Sequence, residues 1–293
     1  MEALNAEQKA FYEANGYLML ESRVPLPVIE EIRAEIARFE AEAAGMTGSN
    51  DRLDLEDTHK PDAPRVRRIK LPHTISEPVA RLMRSDHILA PARDLIGPDL
   101  RLHTTKLNMK SAGYGAAVEW HQDFAFYPHT NADVLAIGVL IDDLAPENGP
   151  LMVFPGSHKG PILDHFEDGL FVGAVDLARE GLDVKDAAVL TGPAGSISIH
   201  HGHALHGSAL NRSSKDRRML FYEMMAADAF PIMGSGTPFG SFEEFNARML
   251  CGRPTDRPRL EPVSARIPLP KPAKAGSIYE IQSGLKARAF ERA

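Results

Sequence analysis

Two side chains separated by one residue carry the first chemical signal: His121 and Asp123, in the run Trp120-His121-Gln122-Asp123. On an extended strand residues i and i+2 point to the same face, so an imidazole and a carboxylate converge on one point. That is two-thirds of a facial metal triad. Two histidines and one carboxylate leave three positions open on octahedral iron(II), the donor set of non-haem iron oxygenases. A second histidine is needed, and the stretch Ser196–Ser208 offers His200, His201, His203 and His206. A jelly roll brings distant strands together, so all four qualify, and strand geometry does not choose among them.

An oxygenase that consumes 2-oxoglutarate also needs a grip on its far carboxylate. Arg217 and Arg218 open the strand-like run Met219-Leu220-Phe221-Tyr222-Glu223. A guanidinium holds a carboxylate through two parallel hydrogen bonds. Neighbours on a strand face opposite ways, so one arginine points inward and the other to the surface. Upstream, the alternation over 100–109 puts Leu102, Thr104, Lys106 and Asn108 on one face. Three of these are polar, which a barrel interior accepts when something polar sits inside. An ammonium on Lys106 facing inward must meet an anion, on the cosubstrate or on the substrate. A register slip of one residue would instead turn it to water.

Other residues read as structural. His59 is a solvated loop histidine and Lys70 a solvated strand-edge lysine. His158, in Pro155-Gly156-Ser157-His158, caps a loop. Trp120 packs on a sheet, and Glu119 and Asp142 are solvated strand ends.

These residues need a scaffold. Asn5, with Gln8 three residues on, opens a helix over 5–15 that Gly16 stops. Residues 17–20 form a short strand. Pro27 opens a second helix with Ile29, Ile32, Ile36 and Phe39 at helical spacing, ended by Gly45. Residues 46–64 are polar and read as a loop, 66–71 as a strand, and 76–84 and 86–96 as helices. From Asp99 the pattern changes to short strands between Gly, Pro and Asn turns: 100–109, 118–121, 134–141, 151–154, 184–190, 195–200 and 219–225. The aromatic loop Phe124–Pro128, the Asn148-Gly149 turn and a long insertion, 156–183, lie between them. The fold predicted is mainly β with flanking helices, a double-stranded β-helix of jelly-roll, cupin-like type. It reads as one domain over 1–293: a mostly helical part (1–98), a jelly-roll core (99–226) and a C-terminal cover (227–293).

Composition narrows the function. The 293 residues are 43% hydrophobic and 25% charged, ordinary for a globular enzyme. Net charge is −7, with no basic run to track a phosphate backbone, so nucleic acid is not an expected partner. One cysteine, Cys251, excludes an internal disulfide and fits a reducing compartment. Neither a signal peptide nor a run of about 20 apolar residues is present, so a cytoplasmic, membrane-free protein is expected.

The ordered motifs resemble the phytanoyl-CoA dioxygenase family of 2-oxoglutarate-dependent iron(II) oxygenases, a group that includes ectoine hydroxylase. The matching pieces are His121-Gln122-Asp123, then Asn148-Gly149-Pro150 through His158, then Leu205-His206-Gly207-Ser208, then Arg217 eleven residues after His206. Asn211 and residues 212–216 fit the connecting turn. The resemblance implies that His121, Asp123 and His206 are the metal ligands. It implies Arg217 as carboxylate anchor with Ser208 as its hydroxyl partner, and Asn108 and Gln122 as further cosubstrate contacts. It places Tyr127 in the substrate pocket, and the polar face of the strand over 100–109 adds Lys106 and Thr104 there. It also implies iron(II), 2-oxoglutarate and dioxygen, with ascorbate to keep the iron reduced, and hydroxylation of an unactivated C–H bond with release of succinate and carbon dioxide. The aromatic loop departs from the ectoine hydroxylase pattern, and nothing reads as a coenzyme A cradle. The substrate expected is therefore another small molecule, an anionic one if Lys106 faces inward. Three rival readings share the fold. One is a halogenase, which Asp123 argues against. Another is a silent binding protein, which has no need of His121, Asp123, His206 and Arg217 together. The third is an oxygenase performing desaturation or cyclisation.

Overall fold

The computed structural model describes residues 3–113, 115–233, 240–265 and 271–290. Its first helix, α1 (Ala6–Asn15), starts with the expected capping box: Asn5 Oδ1 accepts from the Gln8 amide at 2.8 Å, and Gln8 Oε1 from the Asn5 amide at 2.9 Å. Gly16 ends it in the left-handed region at φ 77°. Strand β1 (Tyr17–Leu20) follows, then α2 (Leu26–Ala43), which buries the predicted stripe of Ile29, Ile32, Ile36 and Phe39. Each such side chain contributes about 1.5–3 kcal/mol on leaving water. The segment read as a loop contains a strand, β2 (Leu53–Leu55), paired with β3 (Val66–Lys70). Three residues are too few to show a period, and the pairing partner supplies the order. Helices α3 (Glu77–Met83) and α4 (Asp86–Ile96) close the first part of the chain, the second stopped by Gly97.

Strands β4 (Leu100–Lys110), β5 (Val118–His121), β6 (Val134–Leu140) and β7 (Leu151–Val153) come next. The 156–183 insertion holds a 3-10 turn at Ser157–Lys159 and a tight hairpin of β8 (Phe166–Glu167) and β9 (Leu170–Phe171). The predicted strand over 184–190 is half right. Asp183 caps a 3-10 turn at Val184–Asp186, and only β10 (Ala188–Leu190) is extended. Then come β11 (Ile197–His201), β12 (His206–Ser208) and β13 (Arg217–Ala226). The tail adds α5 (Phe242–Ala247), β14 (Met249–Cys251) and α6 (Ile278–Gln282).

The strands form two facing antiparallel sheets, the double-stranded β-helix expected. The larger runs β1-β11-β6-β13-β4-β3-β2, with β14 also on β4; the smaller runs β10-β7-β12-β5. Strand alternation divides β13 cleanly. Leu220, Tyr222 and Met224 point outward into the core that α2, α3 and α4 cover. The Tyr222 hydroxyl donates to the Val79 carbonyl at 2.8 Å, tying sheet to helix. Arg217, Met219, Phe221 and Glu223 face the barrel interior, where they line its cavities. On β4 the predicted face needs one correction. Glu223 pairs with Thr104 but Met224 with Leu102, so a bulge at His103 flips the strand. Leu102 joins the outer core while Thr104, Lys106 and Asn108 face inward. Among the described residues no helix is long and apolar enough to cross a membrane.

Candidate active site

Strands β5 and β12 pair antiparallel with His121 directly opposite His206, and their ring centroids lie 4.2 Å apart. Of the four candidate histidines, this cross-strand pairing brings His206 into a cluster with His121 and Asp123. Asp123 lies just past β5, opening a 3-10 turn over Asp123–Ala125. Gln122 before it is still extended, at φ −117° and ψ 127°, so the two-residue alternation carries through to Asp123. Asp123 Oδ1 lies 3.8 Å from His121 Nε2 and 4.0 Å from His206 Nε2. All three side chains are buried.

The backbone sets both tautomers. His121 Nδ1 donates to the Glu119 carbonyl at 2.8 Å and His206 Nδ1 to the Ala204 carbonyl at 2.9 Å. A carbonyl only accepts, so each Nδ1 carries the proton and each Nε2 presents a lone pair toward Asp123. Burial pushes His121 down to about 4 and His206 well below the usual imidazole range, so both are neutral at pH 7. Burial alone would push the Asp123 carboxyl up. The imidazoles of His206 and His200 and the ammonium of Lys106 outweigh it and hold the carboxyl well below its usual range. Two neutral imidazoles and an ionised carboxylate are the protonation states a divalent metal requires. The set fits iron(II), and among the described residues these three form the cluster able to hold a metal ion.

Two cavities meet at this cluster, sharing Lys106, His121 and Ile278 as common wall. The inner one, about 40 Å³, is lined by Asn108, His206, Ser208, Arg217 and Tyr279 among others. The outer one, about 760 Å³, is lined by Asp123, Thr104, Tyr127, Arg68, Glu223 and residues of α6. A space as small as the inner one takes a carboxylate group, not a second organic molecule.

Residues 12–219 match the phytanoyl-CoA dioxygenase (PhyH) family. The probable alpha-ketoglutarate-dependent hypophosphite dioxygenase of Stutzerimonas stutzeri is 35% identical over 289 residues, spanning 97% of this chain and 99% of that one. The chain belongs to the phytanoyl-CoA dioxygenase family. The L-proline trans-4-hydroxylase of Streptomyces griseoviridis is 30% identical over 234 residues, 73% of this chain and 84% of that one. In fold, EctD of S. alaskensis superposes with a TM-score of 0.66 at 24% identity, covering 90% and 89% of the two chains. This phytanoyl-CoA dioxygenase relative is thus an iron(II)- and 2-oxoglutarate-dependent dioxygenase acting on a small molecule.

Motifs and strand alternation in the sequence placed ten residues in the site, and nine line one cavity or both. Arg217 is buried inside, where Nε and Nη2 donate to the Gly149 carbonyl at 3.0 and 2.6 Å. Gly149 sits in the left-handed region at φ 74°, and a Cβ there would come within 2.5 Å of the Ala209 carbonyl. Burial brings Arg217 down to about 10, which still leaves it charged at pH 7. Arg218 turns outward and grips Asp142 with Nε and Nη2 at 2.8 and 2.7 Å. Asp142 is therefore an ion-pair partner rather than a free strand end. Asn108 Oδ1 is buried with no hydrogen-bond partner.

Gln122 is the exception. Its amide donates to the Pro161 and His203 carbonyls at 3.1 and 2.8 Å and accepts from the Leu163 amide at 2.7 Å. It lies between two residues that face the metal cluster, so alternation turns it away, and it pins the long insertion instead. Lys106 does face inward, but the anion it meets is Glu223, a partner within the protein rather than a ligand. Lys70, expected in solvent, lines the outer cavity and pairs with buried Asp54 at 2.8 Å. Glu119 is buried and accepts from the Ala289 amide at 3.0 Å. His200 is also closer than a bystander: its Nε2 lies 3.4 Å from Asp123 Oδ2. His201 and His158 sit together outside the cluster, and His59 bonds the Met46 carbonyl.

Sequence reasoning missed Glu223, Arg68 and Tyr279. Glu223 was readable, since it lies an even number of residues after Arg217 on one strand. Arg68 and Tyr279 had no local signal, because β3 and the tail bring them to the outer and the inner cavity only in the folded chain.

Proposed function

We propose that this chain inserts oxygen into a small substrate bearing an acidic group, with iron(II) held by His121, Asp123 and His206. One oxygen atom of O2 goes to the substrate hydroxyl and the other to 2-oxoglutarate, which leaves as succinate and carbon dioxide. Iron(II), when bound, would activate dioxygen, which is the oxidant; the protein supplies position, charge and dryness. Arg217 is assigned to the far carboxylate of 2-oxoglutarate, with Ser208, Asn108 and the Tyr279 hydroxyl around it. Tyr127, Thr104 and Lys106 are assigned to the substrate side.

The observation that carries this reading is the pair of backbone carbonyls on His121 and His206. They aim two imidazole lone pairs at one carboxylate beside a chamber closed by a buried arginine. The acidic substrate draws on two supports. The Stutzerimonas relative is named for hypophosphite, a compact oxyanion, and basic side chains line the outer cavity. The test is anaerobic addition of iron(II) and 2-oxoglutarate, which should produce a charge-transfer band near roughly 500 nm, as expected of this ligand class. Aerobic succinate release should then rise with hypophosphite or small organic acids and stay flat with neutral analogues. Absence of the band in wild type would remove the metal assignment.

A further inference from the structure

The outer cavity is lined by Arg68, Lys70, Lys106 and Lys271 against the carboxylates of Asp54, Asp123 and Glu223. Most of that charge is already matched. Lys70 pairs with Asp54 at 2.8 Å and Lys106 with Glu223. Asp123 faces the histidines of the metal cluster. Arg68 differs. Among the described residues its guanidinium has no carboxylate partner, and its Nε is buried without any hydrogen-bond partner. Its own strand is firmly placed, with Arg68 opposite Asn108 and Lys70 opposite Lys106 in the β3–β4 ladder. A half-buried guanidinium with open donors, fixed on a sheet and facing a cavity, is poised for a planar or tetrahedral oxyanion.

Size narrows the ligand. Hypophosphite has three heavy atoms, and even at a water-like ~30 Å³ apiece it fills a small part of the chamber's roughly 760 Å³. We propose that the substrate is an organic acid, a phosphonate or carboxylate, whose oxyanion head is held by Arg68 while its carbon chain extends toward His121 and Asp123. This rests on the site assignment above and adds to it the residue that selects the head group. Lys106 is not that residue, because Glu223 occupies it.

The experiment uses the full-length protein as its anaerobic iron(II)·2-oxoglutarate complex. Ethylphosphonate, propionate and neutral propanamide are titrated in, and binding is read from perturbation of the charge-transfer band. The same anions are tested for thermal stabilisation of the metal-free protein. In wild type, ethylphosphonate or propionate should bind more tightly than propanamide. Arg68→Gln should weaken anion binding by about tenfold or more, the scale of a lost charge-assisted hydrogen-bond pair. Arg68→Lys should recover part of it. The 2-oxoglutarate constant should stay unchanged in both variants. Because Arg68 has no carboxylate partner among the described residues, its removal should leave the melting temperature nearly unchanged, and Arg68→Lys covers the case in which Arg68→Gln does not fold. Equal anion affinity in wild type and Arg68→Gln would overturn the proposal, as would a wild-type band that none of the anions perturbs. Failure of the band to form in wild type would instead strike the site assignment beneath it.

Discussion

The inner and outer cavities share a wall but are made in different ways. The inner one is built mostly from strands of the β-helix itself, Asn108 on β4, His206 and Ser208 on β12 and Arg217 on β13, with Ile278 and Tyr279 of α6 at one side. The outer one borrows from pieces added to that core: Arg68 and Lys70 on β3, Asp54 on β2, and the segment from Lys271 through α6. In the reading proposed above, the first takes the cosubstrate that every reaction cycle of this class consumes, and the second the substrate that distinguishes one enzyme from another. A barrel that must position a metal and a keto acid to fractions of an ångström does so with paired strands. Variation is accommodated at the rim, where added segments do not disturb the ladder.

The largest expected effect falls on the three-residue cluster at the shared wall. Asp123→Ala should abolish the charge-transfer band and lower succinate release by more than ~100-fold, beyond what changes outside the ligand shell usually cost. His203→Ala, in the turn between β11 and β12 and outside the cluster, should keep most of the activity. His200→Asn tests the intermediate position, with loss of iron affinity within the ~10–100-fold typical of outer-shell partners. Equal behaviour of Asp123→Ala and His203→Ala would dissolve the assigned metal site.

Next in size is the inner cavity. Arg217→Ala leaves a ligand carboxylate unpaired in a dry site, at about 2–5 kcal/mol. The apparent 2-oxoglutarate constant should therefore rise more than tenfold. Arg218→Ala removes a fork to Asp142 on the outside, so it should lower the melting temperature while leaving that constant alone. Steady-state kinetics and thermal unfolding on the two variants separate these outcomes, and the reverse ranking would exchange inside for outside on β13.

This contrast also explains what could be read in advance. Period-2 alternation is a local property, so His121 with Asp123, and Arg217 against Arg218, were legible as inside–outside pairs. The choice of His206 from four histidines was not legible in strand geometry. It depends on β12 pairing with β5, about 85 residues apart by the numbering of the two strands, and only the resemblance anticipated it. Leu102 was misplaced because a bulge at His103 leaves no mark on the hydrophobic pattern. Arg68 reads from the chain as one basic residue among several in a strand. Its isolation appears only when Asp54 arrives beside Lys70, and Glu223 beside Lys106.

A smaller effect is expected where the two cavities meet. Lys106→Met leaves Glu223, which is 1% exposed, without its ammonium. A buried acceptor stripped of its partner costs about 1–3 kcal/mol. Lys106→Met should thus destabilise the fold by that amount, and adding Glu223→Gln should restore part of it, a coupling that a double-mutant cycle measures. Independent, additive effects would mean that the pair does not hold in solution and that Lys106 is available to a ligand after all.

The smallest effect tests whether the tail belongs to the inner cavity or only covers it. Tyr279, on α6, is packed under the Arg67 guanidinium at 4.7 Å, and its hydroxyl is buried with no hydrogen-bond partner. Burial pushes its pKa up, so it stays protonated and able to donate. It lines the same cavity as Arg217 and Ser208. A donor kept without a partner in the fold costs stability, whereas one that meets a ligand oxygen returns about 0.5–1.5 kcal/mol on binding. Tyr279→Phe should then move two observables in opposite senses. The melting temperature should hold or rise slightly, because an unsatisfied group is gone. The 2-oxoglutarate constant should rise by roughly two- to tenfold, the same 0.5–1.5 kcal/mol expressed as affinity. If Tyr279 only seals the barrel, the hydroxyl is irrelevant and the constant will not move. If the constant stays fixed and the protein melts earlier, the hydroxyl has a structural partner, and the inner cavity is closed by the β-helix alone.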